Sequence, residues 1–164
     1  MKILGIDPGS TVTGYGLIND EKGSLSLVEA GALRLSRIPD LPQRLCRAAD
    51  GVRDLLLKHR PDEVCVERVF QHINVHSALV LAHVRGAVLA EMARAGLTVH
   101  EYTALQIKKA LVGVGHADKE QVRAMVKRLL RLSEIPAPHD VSDALAVAIC
   151  HAHAGASRRR WGMA

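Results

Sequence analysis

Lys2-Ile3-Leu4-Gly5-Ile6-Asp7-Pro8-Gly9-Ser10 is an apolar run that ends in one carboxylate and breaks at once into Pro-Gly. A short, nearly continuous apolar run reads as a strand buried on both faces. Pro8-Gly9 supplies the turn that stops it. Asp7 therefore stands at a strand's end, where a carboxylate can point out of the core into a cleft. Taken alone, an Asp before Pro-Gly is most simply a surface turn. Its meaning changes only if further acids reach the same place.

Working outward, residues 14–18 read as a second strand, 19–24 as a polar, Gly-containing hairpin connection, and 25–35 as a third strand. These three strands are expected to be antiparallel. Leu41, Leu45, Ala48, Val52, Leu55 and Leu56 recur at helical spacing, with Arg44, Arg47, Arg53 and Lys58 mostly off that stripe. The spacing predicts an amphipathic helix over 41–59, ended by Arg60-Pro61. Residues 62–67 form a fourth strand, which also ends in a carboxylate, Glu67. A helical crossover lays such a strand parallel to the first. Parallel neighbours share their C-terminal ends, so Glu67 is expected close to Asp7, the usual place for a site in an open α/β sheet. By itself Glu67 is an ordinary exposed strand-end acid.

Residues 68–74 read as a loop with the only Phe of the chain, Phe70. That ring either anchors the loop in the core or stands exposed to wedge against a nucleobase. A helix over 75–95 is apolar almost all round, so both its sides should be covered, one by the sheet and the other by a second subunit. Gly86, Ala90 and Ala93 would allow close approach there. Residues 97–102 make a fifth strand, and Thr103 can cap a helix over 104–112. Residues 113–117 read as a mobile loop. A basic helix then opens at Ala117 or Asp118 and runs to about Leu132, with Lys119, Arg123, Lys127, Arg128 and Arg131. Together with Lys108 and Lys109 this is the densest positive stretch, either a solvated face or a phosphate-binding one. The last helix begins Asp140-Val141-Ser142-Asp143, which puts both acids on one face of its first turn. Capping and the helix dipole would account for that pair without any function.

The chain has 164 residues, which fits one domain, and no repeats. Aromatics make up only 2%, so aliphatic residues must fill the core. The net charge of +5 is a weak pointer to a polyanionic partner. Cys46, Cys65 and Cys150 have neither metal nor disulfide spacing and read as buried small hydrophobes. No signal peptide is visible, and no apolar run approaches the roughly 18 residues of a membrane span. A cytoplasmic protein is expected.

Asp7 and Glu67 at strand ends, with Asp140 and Asp143 at a helix start, can converge into one acidic cluster. Unneutralised, such a cluster is costly, because like charges at close range raise each other's pKa. Hard divalent cations offset that cost most simply, and all-oxygen ligands indicate Mg²⁺ or Mn²⁺. Two such ions, roughly 3.5–4 Å apart, activate water and stabilise the leaving oxygen of a phosphodiester.

The motifs that carry these acids resemble those of the RuvC family of bacterial Holliday-junction resolvases, across nearly the whole chain. They are Gly5-Ile6-Asp7-Pro8-Gly9-Ser10 with Thr13-Gly14-Tyr15-Gly16, Val66-Glu67-Arg68-Val69-Phe70, and Ser77-Ala78-Leu79 leading to Arg85-Gly86. Val112-Gly113-Val114-Gly115 and Asp140-Val141-Ser142-Asp143-Ala144-Leu145-Ala146 complete the set. The resemblance implies an α/β, ribonuclease H-like fold with a five-stranded mixed sheet flanked by helices. It implies a nuclease domain over 1–155 and a basic, disordered tail over 156–164. It further implies a homodimer through the 75–95 helix, with two Mg²⁺ per subunit (Mn²⁺ as a substitute), that nicks opposed strands of a four-way DNA junction symmetrically. The family's acidic tetrad falls on Asp7, Glu67, Asp140 and Asp143, its junction-distorting aromatic on Phe70, and its phosphate-contacting lysines on Lys108 and Lys119. Arg68 and Arg123 are further candidate DNA contacts. Some relatives carry His where Asp140 stands, and His139 adjoins it here. The family works with a branch-migration motor, RuvA and RuvB, so that partner is expected.

The first motif also resembles the phosphate loop of actin-like ATPases and sugar kinases. Those folds need a second lobe, for which 164 residues leave no room. A junction-binding module without catalysis would gain nothing from acids facing phosphate. A related nuclease acting on RNA or RNA–DNA hybrids shares the fold.

Overall fold

The structure, a computed structural model, describes residues 1–68 and 75–160, the side chains of 156–160 excepted. The loop reading of 68–74, with Phe70, therefore falls almost wholly outside the described residues, as do residues 161–164. The elements follow in the order β1 (Lys2–Asp7), β2 (Val12–Glu21), β3 (Ser24–Arg34), α1 (Leu41–His59), β4 (Glu63–Arg68) and α2 (Val75–Arg94). Then come β5 (Val99–Thr103), α3 (Ala104–Val112), α4 (Lys119–Leu129) and α5 (His139–Arg160).

The five strands form one mixed sheet in the order β3-β2-β1-β4-β5. β1, β2 and β3 are antiparallel neighbours, and β4 and β5 continue the sheet parallel to β1. β1 is central and buried on both faces, as its apolar run requires. Ile3 packs with Leu145 and Ile149 in one core, while Leu4 and Ile6 pack with Val52, Val84 and Val88 in the other. The first core lies under α3, α4 and α5, the second under α1 and α2.

Capping fixes the helix starts. Asp40 accepts from the Gln43 amide at 3.1 Å to begin α1, with Pro42 in the first turn. Thr103 and Gln106 form a reciprocal capping box on α3, and Asp118 and Gln121 form another on α4. Because α4 ends at Leu129 and Arg131 turns left-handed, the basic helix is three residues shorter than the sequence suggests. The hairpin between β2 and β3 is tighter than expected. Lys22 and Gly23 both adopt positive φ, and Asp20 accepts from the Gly23 amide at 2.7 Å, so the strands run to within two residues of each other. Two cysteines are buried as expected, but Cys46 is exposed on α1. The segment after Gly113 is anchored in the core by Ala117. α5 continues to Arg160, into the stretch expected to be unstructured.

Among the described residues, α2 is covered on one side only. Val84, Val88 and Met92 are fully buried, and Glu91, also buried, pairs with Arg53 of α1 at 2.9 Å. The opposite side leaves Val75 and Leu79 exposed and has open space over Gly86. By length and composition this helix is apolar enough to cross a membrane, contrary to the sequence reading. Its buried stripe packs instead into the second core.

α5 lies unusually close to the sheet, and glycines make the approach possible. Gly5 and Gly16 are register partners across β1 and β2, and Gly14 is the partner of Asp7. A Cβ on Gly5 would stand 2.3 Å from the Ala144 carbonyl oxygen, and one on Gly14 only 2.0 Å from the Asp140 carbonyl oxygen. Further along, α5 is pinned by a buried polar group. His151 shares a hydrogen bond of 2.7 Å with the Tyr102 hydroxyl, meets the Glu63 carboxylate with its other ring nitrogen, and lies over His100. The Gly14→Ala protein is expected to lose about 1–3 kcal/mol of stability through overpacking, because the obstacle is backbone. Denaturant titration measures this, and a stability equal to the wild type would show that α5 can yield at that point.

Candidate active site

The ends of three elements meet at the C-terminal end of the central strands. β1 delivers Asp7 and β4 delivers Glu67, held side by side by the parallel pairing that matches Ile6 with Val66. α5 delivers Asp140 and Asp143 from its first turn, seated over Gly14 opposite Asp7. That turn is braced locally: the Ser142 hydroxyl donates to the His139 carbonyl at 2.8 Å, and the Val141 amide donates to the Pro138 carbonyl at 3.0 Å.

The electrostatics follow from this convergence. The Asp7 carboxyl is pushed well above its ordinary range, first by burial and then by Glu67, Asp143 and Asp140, with Lys119 opposing. Glu67 is also raised, by burial and by Asp143, against Lys119 and Lys108. Lys119, at the start of α4, brings its ammonium to 3.6 Å from Asp143 Oδ2 while remaining mostly exposed. Glu67, Asp143, Lys108 and Lys119 line a cavity of about 100 Å³ walled by Ile107, Val122 and Ala146.

The structure thus brings together all four acids and both lysines singled out from the sequence. His139 is exposed, and Asp140 is the neighbour close enough to act on Asp7. The two arginines sit differently. Arg68 follows Glu67 on the opposite face and lies 3.6 Å from Glu101. Arg123 is largely covered and pairs with Glu120 at 2.8 Å. Phe70 lies outside the described residues. Sequence reasoning missed the glycines that admit α5 and the acid Glu101. The glycine spacing across two strands was the available signal for the first; nothing local marked the second.

The donor set fits hard cations. It is all oxygen, strongly anionic, and partly withdrawn from water, so a divalent ion would relieve the repulsion that raises Asp7 and Glu67. Among the described residues, no group of three or more such side chains is already arranged to hold a metal ion.

The family profile described as crossover junction endodeoxyribonuclease RuvC matches residues 3–151. The chain belongs to the RuvC family. The RuvC protein of Halorhodospira halophila is 53% identical over 152 residues, 93% of this chain and 90% of that one. That of Aromatoleum aromaticum is 49% identical over 168 residues, 98% of this chain and 90% of that one. The solved structure of Thermus thermophilus RuvC in complex with a Holliday junction substrate superposes with a TM-score of 0.90 at 35% identity, covering 99% of this chain and 97% of that one. A yeast mitochondrial Holliday junction resolvase, 14% identical, shares the fold with a TM-score of 0.70. The fold is ribonuclease H-like, as the motifs implied, and the span matched to RuvC contains all four acids.

Both carboxyl shifts run upward, so the folded protein holds these protons more tightly than the unfolded chain. Stability is then fully present in acid and is lost as pH rises through the folded-state values. The Asp7→Asn protein should therefore melt above the wild type near neutral pH in chelator, with the gap closing in acid. Calorimetry across that range measures it; a variant that melts lower at neutral pH would remove the repulsion described here.

Proposed function

We propose that this chain is a structure-selective endonuclease that resolves four-way (Holliday) DNA junctions by symmetric paired nicks, in homologous recombination and repair. The observation that carries the reading is the meeting of Asp7, Glu67, Asp140 and Asp143 beside Lys108 and Lys119, in a chain of the RuvC family. Nucleases of this family depend on metal; Mg²⁺, two per subunit with Mn²⁺ as a substitute, is our assignment from the oxygen donors. Asp7, Glu67, Asp140 and Asp143 would hold these ions. When bound, they supply an activated water and charge stabilisation at the scissile phosphate.

The chain's own residues do the rest. Lys108 and Lys119 would draw the phosphate backbone to the mouth of the cavity, where the mostly exposed Lys119 can exchange Asp143 for a phosphate. The wall of Ile107, Val122 and Ala146 limits water around the reacting group. Phe70, from its place in the motif, would wedge into the junction. Arg68 and Arg123, each in an ion pair with a glutamate, would be further DNA contacts once those pairs open. The uncovered side of α2, with Leu79, Gly86, Ala90 and Ala93, suits a two-fold contact that would set two sites against opposed strands. The nuclease unit would span 1–155, with the basic segment 156–164 touching DNA non-specifically. A cytoplasmic location and a branch-migration motor of RuvA and RuvB as partner complete the reading.

Incubation with synthetic four-way, three-way and linear DNA in Mg²⁺ or Mn²⁺ tests this. Paired nicks at symmetric positions are expected on the four-way substrate alone. Asp7→Asn should slow cleavage by more than about 100-fold while binding survives, since even outer supports of metal ligands are worth about 10–100-fold. Equal cutting of linear duplex, or an active Asp7→Asn protein, would overturn the assignment. Lys119→Ala should weaken binding and reduce the slope of log K against log salt by about one, as read by titrations at several salt concentrations.

A further inference from the structure

The end of β4 and its neighbour β5 present Glu67 on one face of the sheet and a second charged group on the other. Successive strand residues point to opposite faces. Glu67 is paired in register with Tyr102, which packs in the core beneath α5, so Arg68 and Glu101 both lie on the α2 side. There, a single oxygen of Glu101, Oε2, takes both Arg68 Nε at 3.6 Å and the Arg85 guanidinium from α2. One carboxylate thus ties three elements together: the end of β4, β5 and α2. The Arg85 arm is the close one, while the Arg68 arm is looser, with Arg68 48% exposed. Arg85 is only 22% exposed, and among the described residues its Nε is buried without a hydrogen-bond partner, so Glu101 is the chief support of its charge there. Arg68 immediately follows Glu67, and backbone geometry couples the place of one to that of the other.

We propose that Glu101 is a positioning residue, which fixes the end of β4 against α2 so that Glu67 is presented to the acidic cluster. It touches neither DNA nor metal; it acts through Arg68 and the backbone of β4. The proposal rests on the reading of Asp7, Glu67, Asp140 and Asp143 as the cation site. It also makes α2, whose far side is uncovered, a lever on the site: displacement of Arg85 would be felt at Glu67 through one shared oxygen.

The test uses the full chain and Mn²⁺ as probe. Half-saturation is read in two ways, as the rise of melting temperature with Mn²⁺ in the absence of DNA, and as the Mn²⁺ dependence of junction cleavage. Glu101→Gln is expected to raise both half-saturation concentrations about 10-fold, the lower end of the range for outer supports of metal ligands. Junction affinity in EDTA should stay within about two-fold, because no phosphate contact is lost. Glu101→Asp should recover part of the loss. Arg68→Gln, which removes the more exposed arm and leaves Arg85 paired with Glu101, should shift half-saturation in the same direction and guards against a Glu101→Gln protein that does not fold. Unchanged half-saturation in Glu101→Gln or in Arg68→Gln overturns the proposal. So does a loss of junction affinity in EDTA with unchanged Mn²⁺ response, which would make this cluster a DNA contact. An Asp7→Asn control separates the two levels: if it keeps the wild-type Mn²⁺ response, the cation-site reading itself has failed.

Discussion

The close seating of α5 on β1 and β2 is the constraint on which the site depends. A helix normally stands off a sheet by the depth of the side chains between them. Here Gly5, Gly14 and Gly16 remove those side chains from the sheet, and Ala144 and Ala148 keep them small on the helix. The backbone of α5 can then approach the strands almost directly, and its first turn arrives opposite Asp7. Without that approach, Asp140 and Asp143 would be acids at a helix start with no role beyond capping. Leu145 fills the space that Gly16 leaves, which seats the helix on the sheet at that point. The buried His151, bonded to Tyr102 and facing Glu63, supplies a directional fixture in that interface, a use of buried polarity that specifies register rather than adding stability.

The site opposes the fold that carries it. Burial and mutual repulsion raise Asp7 and Glu67 together, so the folded chain is strained electrostatically at neutral pH, and the surrounding apolar cores must absorb the cost. That is the usual sign of side chains placed for chemistry rather than stability. Lys119 and Lys108 relieve only part of it. They are exposed or half-exposed, so solvent screens them, and Lys119 stands at 3.6 Å rather than in a tight ion pair. A close, buried lysine would have neutralised the acids and occupied the place of a cation.

Much of this was legible in the chain itself. β1 was readable because a strand buried on both faces must be apolar throughout, and α1 because its stripe repeats at helical spacing. The parallel placement of β4 followed from the handedness of crossovers, and with it the meeting of Glu67 with Asp7. What escaped reading depends on partners distant in sequence. Lys22-Gly23 is a weak turn signal, and only the left-handed conformation of both residues shows how tight that hairpin is. Cys46 adjoins the apolar stripe of α1 but points outward. Gly14 and Gly16 looked like ordinary strand residues, because nothing nearby says that a helix 125 or more residues later will lie on them. Glu101 was equally silent: its partners come from the end of another strand and the middle of α2.

Charge placement also separates holding DNA from cutting it. The net charge of +5 favours a polyanion, yet the centre of the site is anionic and repels phosphate until cations are present. Lys108 and Lys119 stand between the two regimes, lining with Glu67 and Asp143 one cavity to whose rim they would draw the backbone. A protein built this way can engage its substrate before the site is competent and cut only when the floor has been neutralised. Selectivity for a branched substrate cannot arise from that floor, since any phosphodiester presents the same charge. On the proposed reading it comes from elements that sense shape at a distance: the side of α2 left uncovered among the described residues and the segment bearing Phe70 would serve recognition, and the four acids chemistry.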